Sequence, residues 1–238
     1  MKPIDIINPA GRARLVLTCE HASCAIPREY DDLGLDEHAI IDHIGWDIGA
    51  RLVTASLASE LDATAVLSGV SRLVIDCNRD LCDHDLIIAE SHGVRVPGNR
   101  AVDAEDRRRR IRDFYHPYHD AIDAVLAQRP GVFLFSVHSF TPELNGRQRR
   151  FDAGVLFDDH VADAERFGAA LMAAGLRVRY NEPYSGLDGL IYSARTHGQR
   201  FGLRYLELEV NNALLRDERA ACQIAACVAT ALRGIVEG

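Results

Sequence analysis

The chain has 238 residues, of which 47% are hydrophobic and 26% are charged, and its net charge at pH 7 is −8. No linker rich in Pro, Gly or Ser and no internal repeat interrupts it, so we predict that residues 1–238 form one large α/β domain. The negative charge argues against a nucleic-acid partner. No apolar stretch is long enough to span a bilayer, which argues against a membrane partner.

Three local features bear on location and redox state. The first residues, Met1 to Asp5, lack the apolar segment of a signal peptide, so we expect a cytoplasmic protein. The six cysteines include no Cys-x-x-Cys pair, and we expect them to be reduced. The basic run from Arg107 to Arg110 is surrounded by acidic residues, so we expect a solvated helix face rather than a polyanion site.

Apolar blocks with strand character alternate along the chain with blocks of helical periodicity. The predicted strands cover residues 15–19, 63–67, 72–75, 132–137, 153–157, 177–180 and 204–210. The predicted helices cover about residues 36–60, 103–128, 161–174, 193–198 and 213–236, and a polar connection over 80–102 is a functional loop or flap. This alternation predicts a three-layer αβα fold with a mostly parallel, mixed sheet.

Polar side chains follow four of the predicted strands at their carboxyl ends, where open α/β sheets place their active sites. They comprise two histidines, an Asn-Arg pair and several acids: Glu20, His21, Asp76, Asn78, Arg79, His138, Glu207 and Glu209. Burying such groups costs desolvation energy at each strand end. One shared, metal-assisted active site explains them better than four unrelated loops.

A catalytic zinc takes three protein ligands, usually histidines with one carboxylate, and leaves a position open. His21 and His138 are the first two candidates. The third is Glu20 or Asp47. Because successive strand residues point to opposite faces, Glu20 joins His21 only if the chain turns sharply, whereas Asp47 on the following predicted helix can return over the strand ends. We therefore favour Asp47, with one Zn²⁺ ion and other divalent metals as alternatives.

The remaining groups have complementary roles around such an ion. Asp76 is suited to accept a hydrogen bond from a ligand histidine. Glu209 is the candidate general base and proton donor, with Glu207 on the same strand face as its competitor. Arg79 is suited to bind a substrate carboxylate, and Asn78 to add a hydrogen bond.

Five segments between Arg12 and Asp217 together resemble the N-formylglutamate amidohydrolase family: CEHAS, HIGWDIGA, SRLVIDCNRD, FSVHSFTP and LELEVNNALLRD. That family is similar in fold to zinc carboxypeptidases and aspartoacylases. The resemblance implies zinc on His21 and His138, carboxylate recognition by Asn78 and Arg79, and catalysis by Glu209.

The sequence departs from the carboxypeptidases at one position. Their first two ligands follow a His-x-x-Glu pattern, but Cys24 stands three residues after His21. The preference for Asp47 is strengthened by analogy with zinc N-acetylmuramoyl-alanine amidases, whose middle carboxylate comes from the following helix.

Three further groups need interpretation. His116 and His119 have helical spacing that suits either a second metal site or, as we favour, surface or supporting histidines. Cys24 and Cys82 lie near the predicted site, but no Cys-His pattern supports a nucleophile. The resemblance suggests that the loop over 183–189 closes on the substrate, with contacts from Tyr184, Asn181 and His197.

The sequence thus predicts a zinc-dependent amidohydrolase that removes an N-acyl group from a small acidic amino acid, most simply N-formyl-L-glutamate. One alternative is a deacylase or peptidase acting on another N-acyl amino acid or a cell-wall fragment. The other is a noncatalytic metal- or carboxylate-binding protein of the same fold.

Overall fold

The computed structural model of the protein describes residues 2–236. Its strands are β1 (Ile4–Ile7), β2 (Leu15–Cys19), β3 (Thr64–Ser68), β4 (Glu90–Ser91), β5 (Val94–Arg95), β6 (Phe133–Phe140), β7 (Glu143–Leu144), β8 (Arg147–Gln148), β9 (Ala153–Leu156), β10 (Val178–Tyr180) and β11 (Arg204–Asn211). Its α-helices are α1 (Glu37–Ile41), α2 (Ala50–Glu60), α3 (Ala104–Arg110), α4 (His116–Ala127), α5 (Val161–Ala173), α6 (Tyr192–Phe201) and α7 (Glu218–Val236).

Seven strands form one mixed sheet in the order β1-β3-β2-β6-β11-β9-β10. The central pairs β3/β2, β2/β6 and β6/β11 are parallel, as is β9/β10, whereas β1/β3 and β11/β9 are antiparallel. The fold class predicted from the sequence is therefore confirmed. The antiparallel edge strand β1 was not predicted.

The central strands of the sheet are buried on both sides because helices cover both of its faces. Leu15 and Leu17 of β2 pack in one apolar cluster with α2, α5 and α7, and Val16 packs in a second cluster with α4 and α6. The same alternation runs through β6 and β11, so each buried strand presents one set of side chains to each helical layer.

The predicted strand 72–75 is wrong. These residues form a buried turn, in which Val74 N donates to Ser71 O (3.0 Å). Side chains provide hydrogen bonds to carbonyl oxygens that have no strand partner: Asn99 donates to Leu73 O (2.8 Å) and Arg110 donates to Val74 O (3.0 Å). An apolar run bounded by polar residues has the same composition in a buried turn as in a buried strand.

Arg110 also corrects the prediction of a wholly solvated Arg107 to Arg110 run, because its side chain is 1% exposed and pairs with Asp106 (2.9 Å). The predicted helix 103–128 exists with one widened π turn between α3 and α4, just before Pro117. Such a turn accommodates a residue that has no N–H to donate.

The predicted helix 36–60 is interrupted. Residues 42–49 form a loop between α1 and α2, and Asp47 lies in this loop rather than on a helix. Gly49 has φ of 84°, a left-handed conformation that few other residues adopt, and a Cβ there would lie 2.5 Å from Leu215 Cβ.

The prediction that no apolar stretch is long enough to span a bilayer is wrong for helix α7, which is long and apolar enough to cross a membrane by length and composition alone. Core helices of soluble proteins meet the same criterion. Its buried side chains, among them Ala221, Ala225, Val228 and Leu232, belong to the apolar cluster shared with α2 and α5.

Candidate active site

The candidate site lies at the carboxyl ends of β2, β6 and β11. In the parallel pair β6/β11, His138 is in register with Glu209 and Ser136 with Glu207. Residues in register on neighbouring strands share a face of the sheet, so the imidazole and both carboxylates lie on the side that carries α4 and α6. All three of these ionisable side chains are buried, with at most 4% exposure.

His21, Asp47 and His138 converge, with one ligand atom from each lying within 4.8 Å of the others. Asp47 Oδ2 lies 2.7 Å from His138 Nδ1 and 3.4 Å from His21 Nδ1. The loop that carries Asp47 is tied to the strand end, because Asp47 N donates to His21 O (3.0 Å). Two imidazole nitrogens and one carboxylate oxygen are a donor set that suits a catalytic zinc, so the residues present fit the ion.

The other ring nitrogen of each histidine also faces a carboxylate. His21 Nε2 lies 2.7 Å from Asp76 Oδ1, and His138 Nε2 lies 2.9 Å from Glu20 Oε2. Such carboxylates fix the orientation and tautomer of metal-binding histidines. Glu20, the alternative third ligand, therefore contacts His138 from the side away from Asp47.

Glu20 is held in that position by two hydroxyl groups that the sequence reasoning missed. Tyr118 OH donates to Glu20 Oε1 (2.8 Å), and Ser136 Oγ donates to Glu20 Oε2 (2.6 Å). Burial opposes the charge, but the His138 imidazole and then the hydrogen bond from Ser136 hold the pKa of Glu20 well below its usual value. Ser136 shares the strand face of His138, two residues away, which is a period-two signal that was available in the sequence.

Asp76 is held by Arg72, another residue to which the sequence analysis gave no role. The Arg72 guanidinium donates to Asp76 Oδ2 from Nη2 (2.6 Å) and Nε (3.1 Å). Burial opposes the charged carboxylate, but Arg72 and then His21 outweigh it and hold the pKa of Asp76 well below its usual value. The Arg-x-x-x-Asp spacing from 72 to 76 was the available signal.

The electrostatics of His138 follow from its carboxylate neighbours. Burial disfavours a charged imidazole, but Glu207, Asp47 and Glu20 outweigh burial and raise the pKa of His138 well above its usual value. In the metal-free protein this histidine is therefore protonated near neutral pH. A metal ion at the Nδ1 positions must displace that proton.

Glu207 and Glu209 differ in their contacts. Glu207 Oε2 accepts from Asn78 Nδ2 (3.4 Å) and lies 3.6 Å from His138 Nε2, and burial raises its pKa to about 7. Glu209 Oε2 is buried and has no hydrogen-bond partner within the described residues. Burial, with the nearby charges of Asp47 and Glu207, raises the pKa of Glu209 well above its usual value.

A cavity of about 310 Å³ adjoins these groups. This volume is at the small end of the range for ligand pockets, about 300 to 1,000 Å³. Its lining includes most of the residues that the sequence placed in the site: His21, Asp47, Asp76, Asn78, Arg79, His138, Tyr184 and Glu209, together with the alternative base Glu207. Glu20, the alternative third ligand, does not line it.

The candidate substrate-binding residues have different degrees of freedom. Asn78 is fixed, because its Oδ1 accepts from Ser193 N (2.9 Å) while its Nδ2 donates to Glu207. Arg79 donates to Asn78 O (3.0 Å) and its Nε lies 3.9 Å from Asp83 Oδ2, a distance too long for a hydrogen bond. Most of the Arg79 guanidinium thus stays available to a ligand.

Several candidates lie away from the residues that line this cavity. His119 is stacked on His197, which in turn contacts Asp123, and no cluster of three metal-capable side chains within residues 2–236 includes His116 or His119. Asn181 accepts from the backbone N–H groups of Phe157 and Gly186 and thus shapes a turn. Neither Cys24 nor Cys82 lines the cavity.

Comparisons with known proteins bear on the family. Residues 13–216 match the model of the N-formylglutamate amidohydrolase family. A gene product of Agrobacterium tumefaciens, known from its crystal structure, is 34% identical; the match covers 99% of this chain and 96% of that one, with a TM-score of 0.94.

An N-formylglutamate amidohydrolase from Ralstonia eutropha is 18% identical, with 100% of this chain and 98% of that one covered and a TM-score of 0.72, and so has the same fold. A comparison with curated protein sequences gives no significant match. The family match confirms the resemblance carried by the five sequence segments, and it makes the protein an amide-bond hydrolase. The chain belongs to the N-formylglutamate amidohydrolase family.

Proposed function

We propose that the protein is a zinc-dependent enzyme that hydrolyses the N-formyl group of a small acidic amino acid, N-formyl-L-glutamate being the simplest substrate. The reaction consumes water and yields formate and the free amino acid. The convergence of His21, Asp47 and His138 carries this proposal. In the same cavity lie Arg79 and Glu209, whose Oε2 has no hydrogen-bond partner within residues 2–236.

His21 Nδ1, His138 Nδ1 and Asp47 Oδ2 would hold the ion, while Asp76 and Glu20 keep both imidazoles oriented. Bound zinc would polarise the formyl oxygen and lower the pKa of a water molecule. Glu209 lies close enough to the proposed ligands His138 and Asp47 for their charges to change its pKa, so it is placed next to the proposed metal site.

Glu209 Oε2 would take a proton from the attacking water and deliver it to the departing amine nitrogen. Its buried, unpartnered oxygen is free to make both contacts, and burial raises its pKa toward that of a group able to hold the proton between the two steps. Glu207 is already bonded to Asn78, so it is the less available of the two.

Arg79 would bind a carboxylate of the substrate, with Tyr184 closing the same cavity and Asn78 fixing the loop that carries Arg79. A planar guanidinium recognises a carboxylate through two parallel hydrogen bonds. This requirement for an anionic group favours an N-acyl amino acid over a neutral amide.

The test combines metal analysis with a substrate panel of N-formyl, N-acetyl and N-succinyl amino acids. We expect about one zinc per chain and the fastest turnover with N-formylglutamate, lost on chelation and restored by zinc. Faster turnover of another acyl group would identify a different deacylase. Bound zinc without turnover of any member would indicate a noncatalytic binding protein.

A further inference from the structure

The proposed substrate has two carboxylates, but the cavity offers only one uncommitted guanidinium among its lining residues. The lining arginines are Arg72 and Arg79. Arg72 makes two hydrogen bonds to Asp76 and lies 3.9 Å from Asp47, so protein carboxylates already neutralise it. With Arg79 bound to one substrate carboxylate, the other needs a second cation.

Arg149 is the cation placed to meet that need. Its guanidinium lies over the rings of Tyr184 and Phe140, with centroid distances of 5.4 and 5.7 Å. Both of these aromatic residues line the cavity. Arg149 follows the β7/β8 hairpin and lines a neighbouring surface cavity. Leu144 lines both cavities, so Arg149 lies beside the site, at its rim.

The Arg149 side chain is only partly engaged by the protein. Its Nη1 donates to Thr141 O and Thr141 Oγ1, both at 3.3 Å. Within residues 2–236, no carboxylate lies within ion-pair distance of Arg149. The guanidinium also interacts with the side chain of Tyr184, and this interaction opposes the rise that burial causes in the Tyr184 pKa. The contacts with Thr141 and Tyr184 thus orient the guanidinium, and no protein carboxylate neutralises its charge.

The charge of Arg149 affects the pKa values of two residues that line the cavity. Burial and His43 lower the pKa of the cavity residue His92, and the charges of Arg72 and Arg149 lower it further. Burial and the Glu209 carboxylate raise the pKa of Tyr184, and the Arg149 charge opposes them. Arg149 therefore lies within electrostatic reach of residues on two sides of the pocket.

Resting on the proposed function, we infer that Arg149 is the specificity-determining residue that binds the side-chain carboxylate of the substrate. The α-carboxylate is only one carbon from the amine nitrogen, so it must stay close to the catalytic groups. Arg79 is suited to that position because the adjacent residue Asn78 donates to Glu207, and this hydrogen bond holds the Asn78-Arg79 segment beside the carboxylates of β11. The side-chain carboxylate is carried on a flexible stem and extends to the rim, where Arg149 lies.

The experiment compares N-formylglutamate with N-formylglutamine, an isostere that keeps the α-carboxylate but has a neutral side chain. Both are assayed with the zinc-loaded wild type, Arg149→Ala, Arg149→Lys and Arg79→Ala. Loss of a hydrogen-bonded charged partner costs about 10-fold to 100-fold in binding. We expect Arg149→Ala to lower kcat/KM for N-formylglutamate by this factor, mainly through KM, and to change N-formylglutamine less than about 3-fold. Arg149→Lys should recover part of the loss, and Arg79→Ala should impair both substrates.

Arg150→Ala is the matched control, because it removes the same charge from the adjacent exposed residue, which makes no side-chain hydrogen bond within the described chain. It should leave both substrates unchanged. Equal losses for the two substrates in Arg149→Ala, or no loss, would overturn the inference even with an active wild type. Absence of wild-type turnover would instead show that the proposed function has failed. Zinc content and thermal melting of Arg149→Lys distinguish recognition from misfolding.

Discussion

His21 and Asp76 form a close pair, with Nε2 and Oδ1 2.7 Å apart and both side chains at most 5% exposed. The pair determines which nitrogen of His21 faces Asp47, since Nε2 is occupied and Nδ1 remains. Asp76 also accepts two hydrogen bonds from Arg72, so the imidazole is oriented by a charged pair rather than by one mobile carboxylate. This arrangement predicts a measurable contribution of Asp76 to metal affinity.

Asp76→Asn should weaken zinc binding by about 10-fold to 100-fold, the usual effect of removing a carboxylate behind a ligand histidine. Activity should return at excess zinc, because the ligands themselves remain. Competition with a chromogenic chelator measures the affinity. Asp85→Asn provides the control, since Asp85 also lines the cavity but is not within ion-pair distance of His21 or His138. Unchanged affinity in Asp76→Asn would contradict the orienting role.

Asp47→Ala and Glu20→Gln distinguish the two candidate third ligands. Asp47→Ala should lose zinc and activity together, because Asp47 Oδ2 is the atom that faces both Nδ1 nitrogens. Glu20→Gln should retain most of the zinc at micromolar protein, because Glu20 contacts Nε2 of His138 and not the Nδ1 atom that faces Asp47. Metal analysis after gel filtration checks both variants. The reverse pattern would make Glu20 the ligand.

The sequence predicted the layers of the fold better than its interruptions. Buried strands such as β2 and β6 were visible as apolar runs, and parallel pairing followed from the intervening helices. The turn at 72–75 was not visible, because its carbonyl oxygens are satisfied by Asn99 and Arg110, whose side chains come from distant parts of the chain. The loop at 42–49 was hidden because Ile40, Ile44 and Ile48 continue a helical spacing across it.

The convergence of the site residues was predictable because it follows from the sheet. The ends of adjacent parallel strands meet at one edge, and His21 and His138 lie there with ring centroids 4.8 Å apart. The supporting contacts were not predictable, since Tyr118 comes from α4 and Arg149 from a hairpin connection whose positions depend on tertiary packing.

Zinc affinity should increase with pH. The carboxylates around His138 outweigh burial and raise its pKa, so the metal-free protein holds a proton on this imidazole at neutral pH. Zinc requires the neutral ring, so binding releases at least this proton and weakens as pH falls. Calorimetric titration in two buffers of different ionisation enthalpy counts the protons released. Because the raised pKa keeps the metal-free imidazole protonated through neutral pH, an affinity independent of pH between about 6 and 8 would contradict the assignment.

Arg110→Ala should lower the free energy of unfolding by about 1 to 3 kcal/mol, the usual cost of leaving a buried acceptor without its donor. Arg110 pairs with Asp106, and its Nη1 donates to Asn99 Oδ1 (2.7 Å) and Val74 O (3.0 Å). Its exposed neighbour Arg108 is the control, and Arg108→Ala should change stability by less than about 0.5 kcal/mol. Urea denaturation measures both, and equal effects would remove Arg110 from its structural role.

Glu209→Gln should lower kcat by about 100-fold or more while zinc content stays near one ion per chain, because the amide keeps the shape of the side chain but cannot carry the proton. Glu207→Gln is the matched variant, since both residues lie on β11, face the same side of the sheet and are buried. We expect a smaller loss there, because Glu207 already accepts from Asn78 whereas Glu209 Oε2 has no partner within the described residues.

Single-turnover kinetics with N-formylglutamate separate the two carboxylates, since they report the chemical step without product release. Full turnover in Glu209→Gln with loss in Glu207→Gln would exchange their roles. Full turnover in both would exclude a proton-transfer role for either residue. Both variants must retain zinc for these rates to report on proton transfer, because loss of the ion would lower the rate by itself. The control is needed because the proposed ligand His138 lies close to both carboxylates.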